Sequence, residues 1–226
     1  MNFQRFQFDD VIEDISTFPW SSLSRDDMVA VAHAYYFFSI QFRESLVQAR
    51  LLFPADENLR QLEAEECDTD NLSPWPNVAA AGERLNHDEY LRRTLALAPC
   101  SAAKSEVLEN IGRRYLEATR RQPAITRAMS LASYEDGGLE RVFKGMLTFP
   151  HWDNELLMAF RHFLRKHLHF DAGAETTHGF LCRHILVDDS ILPMWSGFRD
   201  LFLQAVPTIA TYRSPERMPD RARVQQ

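Results

Sequence analysis

The 226-residue chain is short of several things that commonly announce a function. It has three cysteines, Cys67, Cys100 and Cys182, odd in number and far apart, with no CxxC pair. A disulfide framework and a thiolate zinc site are therefore not expected, and a reducing compartment, the cytoplasm, suits the chain. Glycine is scarce, at eight residues against sixteen phenylalanines, which argues against a turn-rich all-β protein. No glycine-rich phosphate loop occurs, and neither does GxSxG or HExxH. An excess of basic charge is missing too: the net charge is −7 and nothing marks a nucleic-acid partner. No stretch approaches the ~20 uninterrupted apolar residues of a membrane helix. The N-terminal MNFQRFQFDDVIEDI carries acids where a secretion signal needs an apolar run.

What the chain does have is apolar bulk at helical spacing. Hydrophobic residues make up 45% and aromatics 12%, enough for a full core. Ser24 and Asp27 form a capping-box pattern. From there Met28, Val31, Ala32, Tyr35, Phe38, Phe42 and Leu46 recur every three to four residues to about Leu52. Shorter helices are expected over 57–66, 82–98, 101–121 and 123–147, a central one after Pro150, and a last one over 192–210. Prolines and Asp/Asn/Ser clusters punctuate them. Val107, Leu108 and Ile111 are read as inward on the fourth helix, Ile125 and Met129 on the fifth. The expectation is one all-α bundle of about seven helices spanning 1–210, with an apolar N-terminal arm over 1–20. Residues 211–226 are read as a flexible basic tail. A homodimer is the commonest assembly for such a bundle.

The candidate chemistry lies in polar residues on buried stripes. Leu156 to Val187 holds five of the eight histidines. Within it Phe160, Phe163, Leu164, His167 and Asp171 fall on one helical face. If the helix ran on, Glu175 and His178 would join them. A carboxylate among phenylalanines is costly unless something charged compensates it, and a metal ion would. His87 shares a face with Tyr90, Leu91, Thr94 and Leu95. Glu135 sits within the stripe of the fifth helix. Glu65 and Glu66 end the second, one turn after Leu62. Carboxylate and imidazole together are ligand types for iron or manganese, and facing helices are how a bundle assembles them. Each residue also has a plainer reading. His167 with Asp171 could be an i, i+4 pair. His87 could be a surface residue of the polar run Asn-His-Asp-Glu, and Glu135 could flank a helix break at Asp136-Gly137-Gly138. Glu65 and Glu66 could be a solvated acidic run. Asp153 is a candidate cap for the central helix. His33, His162, His169 and His184 are read as facing away from the stripe or lacking partners, and no activating base is apparent near a cysteine.

The pattern resembles the haem-oxygenase-like superfamily, in particular its non-haem iron oxidases and oxygenases, relatives of pyrroloquinoline-quinone synthase and thiaminase-II type proteins. The similarity extends over about residues 24–210. AHAYYFFSIQFRESLVQARLLFP is similar to an early aromatic helix of that family. LRQLEAEECDTDN resembles the segment with its first iron-binding glutamate; the match falls on Glu65, with Glu66 as the alternative register. NHDEYLRRTL places a ligand at His87, SYEDGGLERVFKGML places one at Glu135, and FRHFLRKHLHFD places His167 and Asp171. The family's second late histidine is displaced by the intervening AGAETT, which leaves Glu175 or His178 for that role. The resemblance implies one or two non-haem iron ions, dioxygen as co-substrate and a small organic substrate. Haem is not implied, since no two glycines are spaced GxxxG. A metal-free enzyme of the same fold, or an interaction protein with a degenerate site, are the alternatives.

Overall fold

A computed structural model describes residues 6–171, 181–182 and 184–213. In it, Ser24 caps the first long helix as its sequence predicts: the hydroxyl accepts from the Asp27 amide, and the Asp27 carboxylate accepts in return from the Ser24 amide. The α-helices whose bounds fall within the described residues are α1 (Gln7–Ser16), α2 (Arg25–Leu52), α3 (Glu57–Cys67), α4 (His87–Ala96), α5 (Ala102–Arg120), α6 (Ala124–Ser133), α7 (Leu139–Met146), α8 (Glu155–Asp171), α9 (Leu192–Ala205) and α10 (Thr208–Arg213). No strand occurs among the described residues; the only bridges are the isolated pairs Thr69–Leu85 and Trp75–Ala79. The class is all-α, a helical bundle.

The bundle forms around α2, which packs against α3, α4, α5, α6, α8 and α9. That central position explains its composition. Met28, Val31, Ala32, Phe38 and Leu46 are buried on one side, and Ala30, Ala34 and Phe37 on others. Its aromatics interlock with those of its neighbours. The Tyr35 ring stands 5.6 Å from Phe143 of α7, 5.5 Å from Phe163 of α8 and 6.2 Å from Phe198 of α9. Phe38 stacks on Phe198 at 4.0 Å. Such pairs add about 0.5–1.5 kcal/mol each beyond their area burial, and they fix how the helices meet.

Where the structure departs from the sequence reading, the cause is local. The arm is itself a helix, with Phe8, Val11, Ile12 and Ile15 buried against α7 and α9. Gly145 of α7 allows that approach: a Cβ there would lie 2.3 Å from the Ser16 carbonyl oxygen. α4 starts at His87, not at residue 82, because the Asn86 side chain accepts from the Glu89 amide and caps it there. The helix expected over 123–147 is two helices joined by a widened turn, Tyr134–Gly138. Its register is broken by Asp136 (ψ 51°) and Gly137 (φ +92°, left-handed). Asn154, not Asp153, caps α8, accepting from the Leu157 amide at 2.8 Å. Asp153 pairs with Arg25 instead. Val107 and Ile125 lie on outer faces, 58% and 46% exposed, contrary to the inward positions expected of them. The last expected helix divides at Val206, just ahead of Pro207, into α9 and α10. No described helix is long and apolar enough to cross a membrane.

Candidate metal centre

Three of the polar residues picked out on buried stripes meet. Glu66 leaves the last turn of α3, His87 is the first residue of α4, and His167 lies in the last turns of α8. One ligand-type atom from each lies within 4.8 Å of the other two. All three residues are buried, at 7%, 4% and 7% exposure. Glu66 Oε2 is 2.7 Å from His87 Nδ1. His167 Nε2 is 3.2 Å from the same nitrogen.

The far side of each imidazole is also engaged. His167 Nδ1 lies 2.8 Å from the Phe163 carbonyl oxygen, one turn back on α8. A carbonyl only accepts, so Nδ1 carries a proton; in the neutral form of the ring Nε2 is then the lone pair. His87 Nε2 lies 3.3 Å from Asn71 Oδ1. The rings sit in an aromatic wall: His167 is 4.1 Å from Phe163 and 5.8 Å from Phe143, and His87 is 5.7 Å from Phe163.

A cavity of about 20 Å³ adjoins the cluster. It is lined by Tyr35, Phe38, Ser39 and Phe42 of α2, Glu66, His87, Phe163, His167, Leu139 and Glu135. Its volume suits an occupant of one or two heavy atoms. Glu135 reaches it from the widened turn between α6 and α7, buried to 8% exposure. The break that could have exposed Glu135 instead directs it inward.

The fit of a cation can be judged from these atoms. Two ligands held about 2.1 Å from one ion at right angles are about 3 Å apart. The 2.7 Å and 3.2 Å separations match that spacing. No cysteine among the described residues joins the trio; burial, reinforced by Glu66 and Glu63, pushes the neighbouring Cys67 thiol up to about 12. Cys182 is pushed well up as well, by its burial first and then by the negative field of Glu135, Asp56 and Glu66.

The other candidates are placed as follows. Glu65 is only partly buried, and its carboxylate accepts from Gln61 Nε2 at 2.8 Å; it is not part of the trio. The backbone of α8 reaches Asp171, but the Asp171 side chain, Glu175 and His178 lie outside the described residues. Of the four histidines read as facing away from the stripe or lacking partners, the His169 side chain lies outside the described residues; the other three stand outside the trio and have partners elsewhere. His162 Nε2 is 3.0 Å from the Leu72 carbonyl, and its ring lies tilted against Trp75 at 4.6 Å. His184 Nε2 is 2.5 Å from Asp56. His33 Nε2 is 3.4 Å from Cys100 Sγ, so a base does stand beside one cysteine. Burial and then Lys104 push that imidazole down to about 4, and burial pushes the thiol up. Both partners are therefore neutral at physiological pH, a hydrogen-bonded pair and not an activated thiolate. Sequence reasoning did not reach Asn71 or the Tyr35 and Ser39 lining. Asn71 sits in a loop without periodicity, where no pattern marks a residue that acts on a ligand.

No protein-family model matches the chain, and no curated protein or solved structure is significantly similar to it.

Proposed function

We propose that Glu66, His87 and His167 hold one divalent transition-metal ion, iron by preference, and that the chain is a dioxygen-dependent oxidoreductase acting on a small organic molecule. The observation that carries the proposal is the convergence of one carboxylate oxygen and two imidazole nitrogens at a single buried point. His167 Nε2, the lone pair of the ring in its neutral form, faces His87 Nδ1 at 3.2 Å, with a carboxylate oxygen beside them. Electron-rich atoms brought together in a low-dielectric setting repel unless a cation or a shared proton lies between them. Two histidines and one carboxylate with open coordination positions are the ligand set of non-haem ferrous oxygenases. Placement in the haem-oxygenase-like superfamily belongs to the same proposal. Its support is that His87 and His167 fall where that resemblance marks ligands, and Glu66 at the alternative register of its first glutamate.

Bound iron would supply dioxygen binding and one-electron redox chemistry that no side chain has. The chain's own residues do the rest. Tyr35, Phe38, Phe42, Leu139 and Phe163 keep water from the centre. Phe163 holds the His167 ring through its carbonyl oxygen. Glu135, lining the same cavity, is placed to take or return a proton beside the centre. Cytoplasmic residence fits three free cysteines.

A second reading rests on the 2.7 Å Glu66–His87 contact, an ordinary charge-assisted hydrogen bond if His87 Nδ1 carries a proton. On that reading the trio is a metal-free acid–base relay. Anaerobic titration with ferrous iron separates the two. The metal reading expects one equivalent bound per chain, with uptake lost in His87→Ala and His167→Ala. Absence of stoichiometric uptake, or uptake unchanged in His167→Ala, overturns it. Turnover that persists in a chelator would then favour the relay.

A further inference from the structure

Asn71 lies in the loop between α3 and α4, is not itself a proposed ligand, and contacts the outer nitrogen of one, His87. Its amide Nδ2 donates to the Glu65 carbonyl oxygen at 3.2 Å. A carbonyl cannot donate, so the NH2 half of the Asn71 amide is fixed on that side. Its oxygen, Oδ1, is thereby turned to His87 Nε2, at 3.3 Å. An amide oxygen only accepts, so it favours the proton on Nε2 and leaves the Nδ1 lone pair for the cluster. The loop holds Asn71 in that position: its backbone amide donates to Thr69 Oγ1 at 3.2 Å, and Thr69 and Leu85 pair their backbones at 2.9 and 3.2 Å just before α4 begins. Glu65 thus enters the site through its main chain, one residue before the ligand Glu66.

We infer that Asn71 is a positioning residue that fixes His87 as the Nε2-protonated tautomer, so that Nδ1 is presented as a metal ligand and not as a proton donor to Glu66. The inference rests on the metal reading of the trio. It adds what that reading leaves open: why His87 Nδ1, 2.7 Å from a carboxylate, serves a cation when it could instead keep a proton for Glu66. His167 has the equivalent support from the Phe163 carbonyl. The two imidazoles are therefore oriented by different devices, a main-chain oxygen on the same helix and a side-chain amide from a loop. Only the second can be removed by substitution.

The test uses cobalt(II) alone, added to the whole chain under anaerobic conditions. Affinity is read from the visible absorption of bound cobalt. Ring N–H protons are read as hyperfine-shifted, exchangeable proton resonances in water. Wild type is expected to show two such resonances, one from His167 Nδ1–H and one from His87 Nε2–H. In Asn71→Ala the second is expected to vanish through exchange with solvent while the first stays, and affinity to fall about 10–100-fold. Asn71→Asp keeps an oxygen facing Nε2 and is expected to restore both the resonance and the affinity to within a few-fold. A merely structural role would not be rescued in this way, since aspartate loses the donor to Glu65. If Asn71→Ala binds cobalt as tightly as wild type with both resonances intact, or if Asn71→Asp is as weak as Asn71→Ala, the inference is overturned. If wild type takes up no cobalt at all, the metal reading fails and the inference falls with it.

Discussion

Glu65 and Glu66 are neighbours in the chain and stand about 100° apart around α3. One accepts from Gln61 on the helix surface; the other lies 2.7 Å from His87 in the core. The sequence reading held both as candidates for the same role. Glu66→Gln keeps the shape and removes the charge, and is expected to abolish stoichiometric metal uptake. Glu65→Gln is expected to bind metal within a few-fold of wild type, with stability changed by no more than about 0.5 kcal/mol. Titration of the two variants side by side checks this; equal effects would mean that the roles are misassigned.

Metal binding to the folded chain alone must raise its stability. At one hundred times the dissociation constant the gain is about 2.7 kcal/mol. For a chain of this size that is a rise in midpoint of roughly 5–10 °C. Thermal melts with and without cobalt or ferrous iron should show the rise in wild type, and no rise in His167→Ala.

His33 supplies a pH dependence separate from the proposed metal site. Its imidazole is held down to about 4 in the fold, mainly by burial, and titrates near 6.5 when unfolded. Below pH 6.5 the unfolded chain takes up a proton that the folded chain refuses. Stability contributed at this position is intact above about pH 7, falls as the pH drops from 6.5 towards 4, and levels off below 4. The whole loss is on the order of 3 kcal/mol. Urea denaturation across pH 4–7 should show the slope in wild type and a shallower one in His33→Gln; identical slopes would exclude His33 as its source.

Two glycines test the packing around α2 and α5. A Cβ on Gly112 would sit 2.1 Å from the Phe37 ring of α2, whereas one on Gly197 would meet Tyr115 at 3.5 Å, an ordinary contact. Gly112→Ala is expected to cost about 1–3 kcal/mol by forcing α5 from α2. Gly197→Ala should be neutral or stabilising by up to about 1 kcal/mol, since it removes a flexible residue from the interior of a helix. Chemical denaturation of both variants ranks them; the reverse order would contradict the helix packing described.

How much of this was legible beforehand follows from how far each signal reaches along the chain. The all-α class and the start of α2 were readable because 3.6-residue periodicity and a capping box are local. The burial of His87, Glu135 and His167 was readable too, since each interrupts an apolar stripe. The choice of Glu66 over Glu65 was not, because α3 is too short and too acidic for its stripe to be resolved to one residue. The break at Asp136–Gly137 was signalled by its glycines, but not the inward direction it gives Glu135. Asn71 was beyond reach altogether: its importance comes from a carbonyl six residues back and a ring sixteen residues ahead, in a loop with no repeating pattern.

The backbone pair between Thr69 and Leu85 closes the α3–α4 connection like a drawstring at its mouth. Asn71 and its contacts with Thr69, Glu65 and His87 lie near that mouth. The exposed bend from Ala80 to Gly82 lies farther out. Additions at that bend can therefore accumulate without moving these residues.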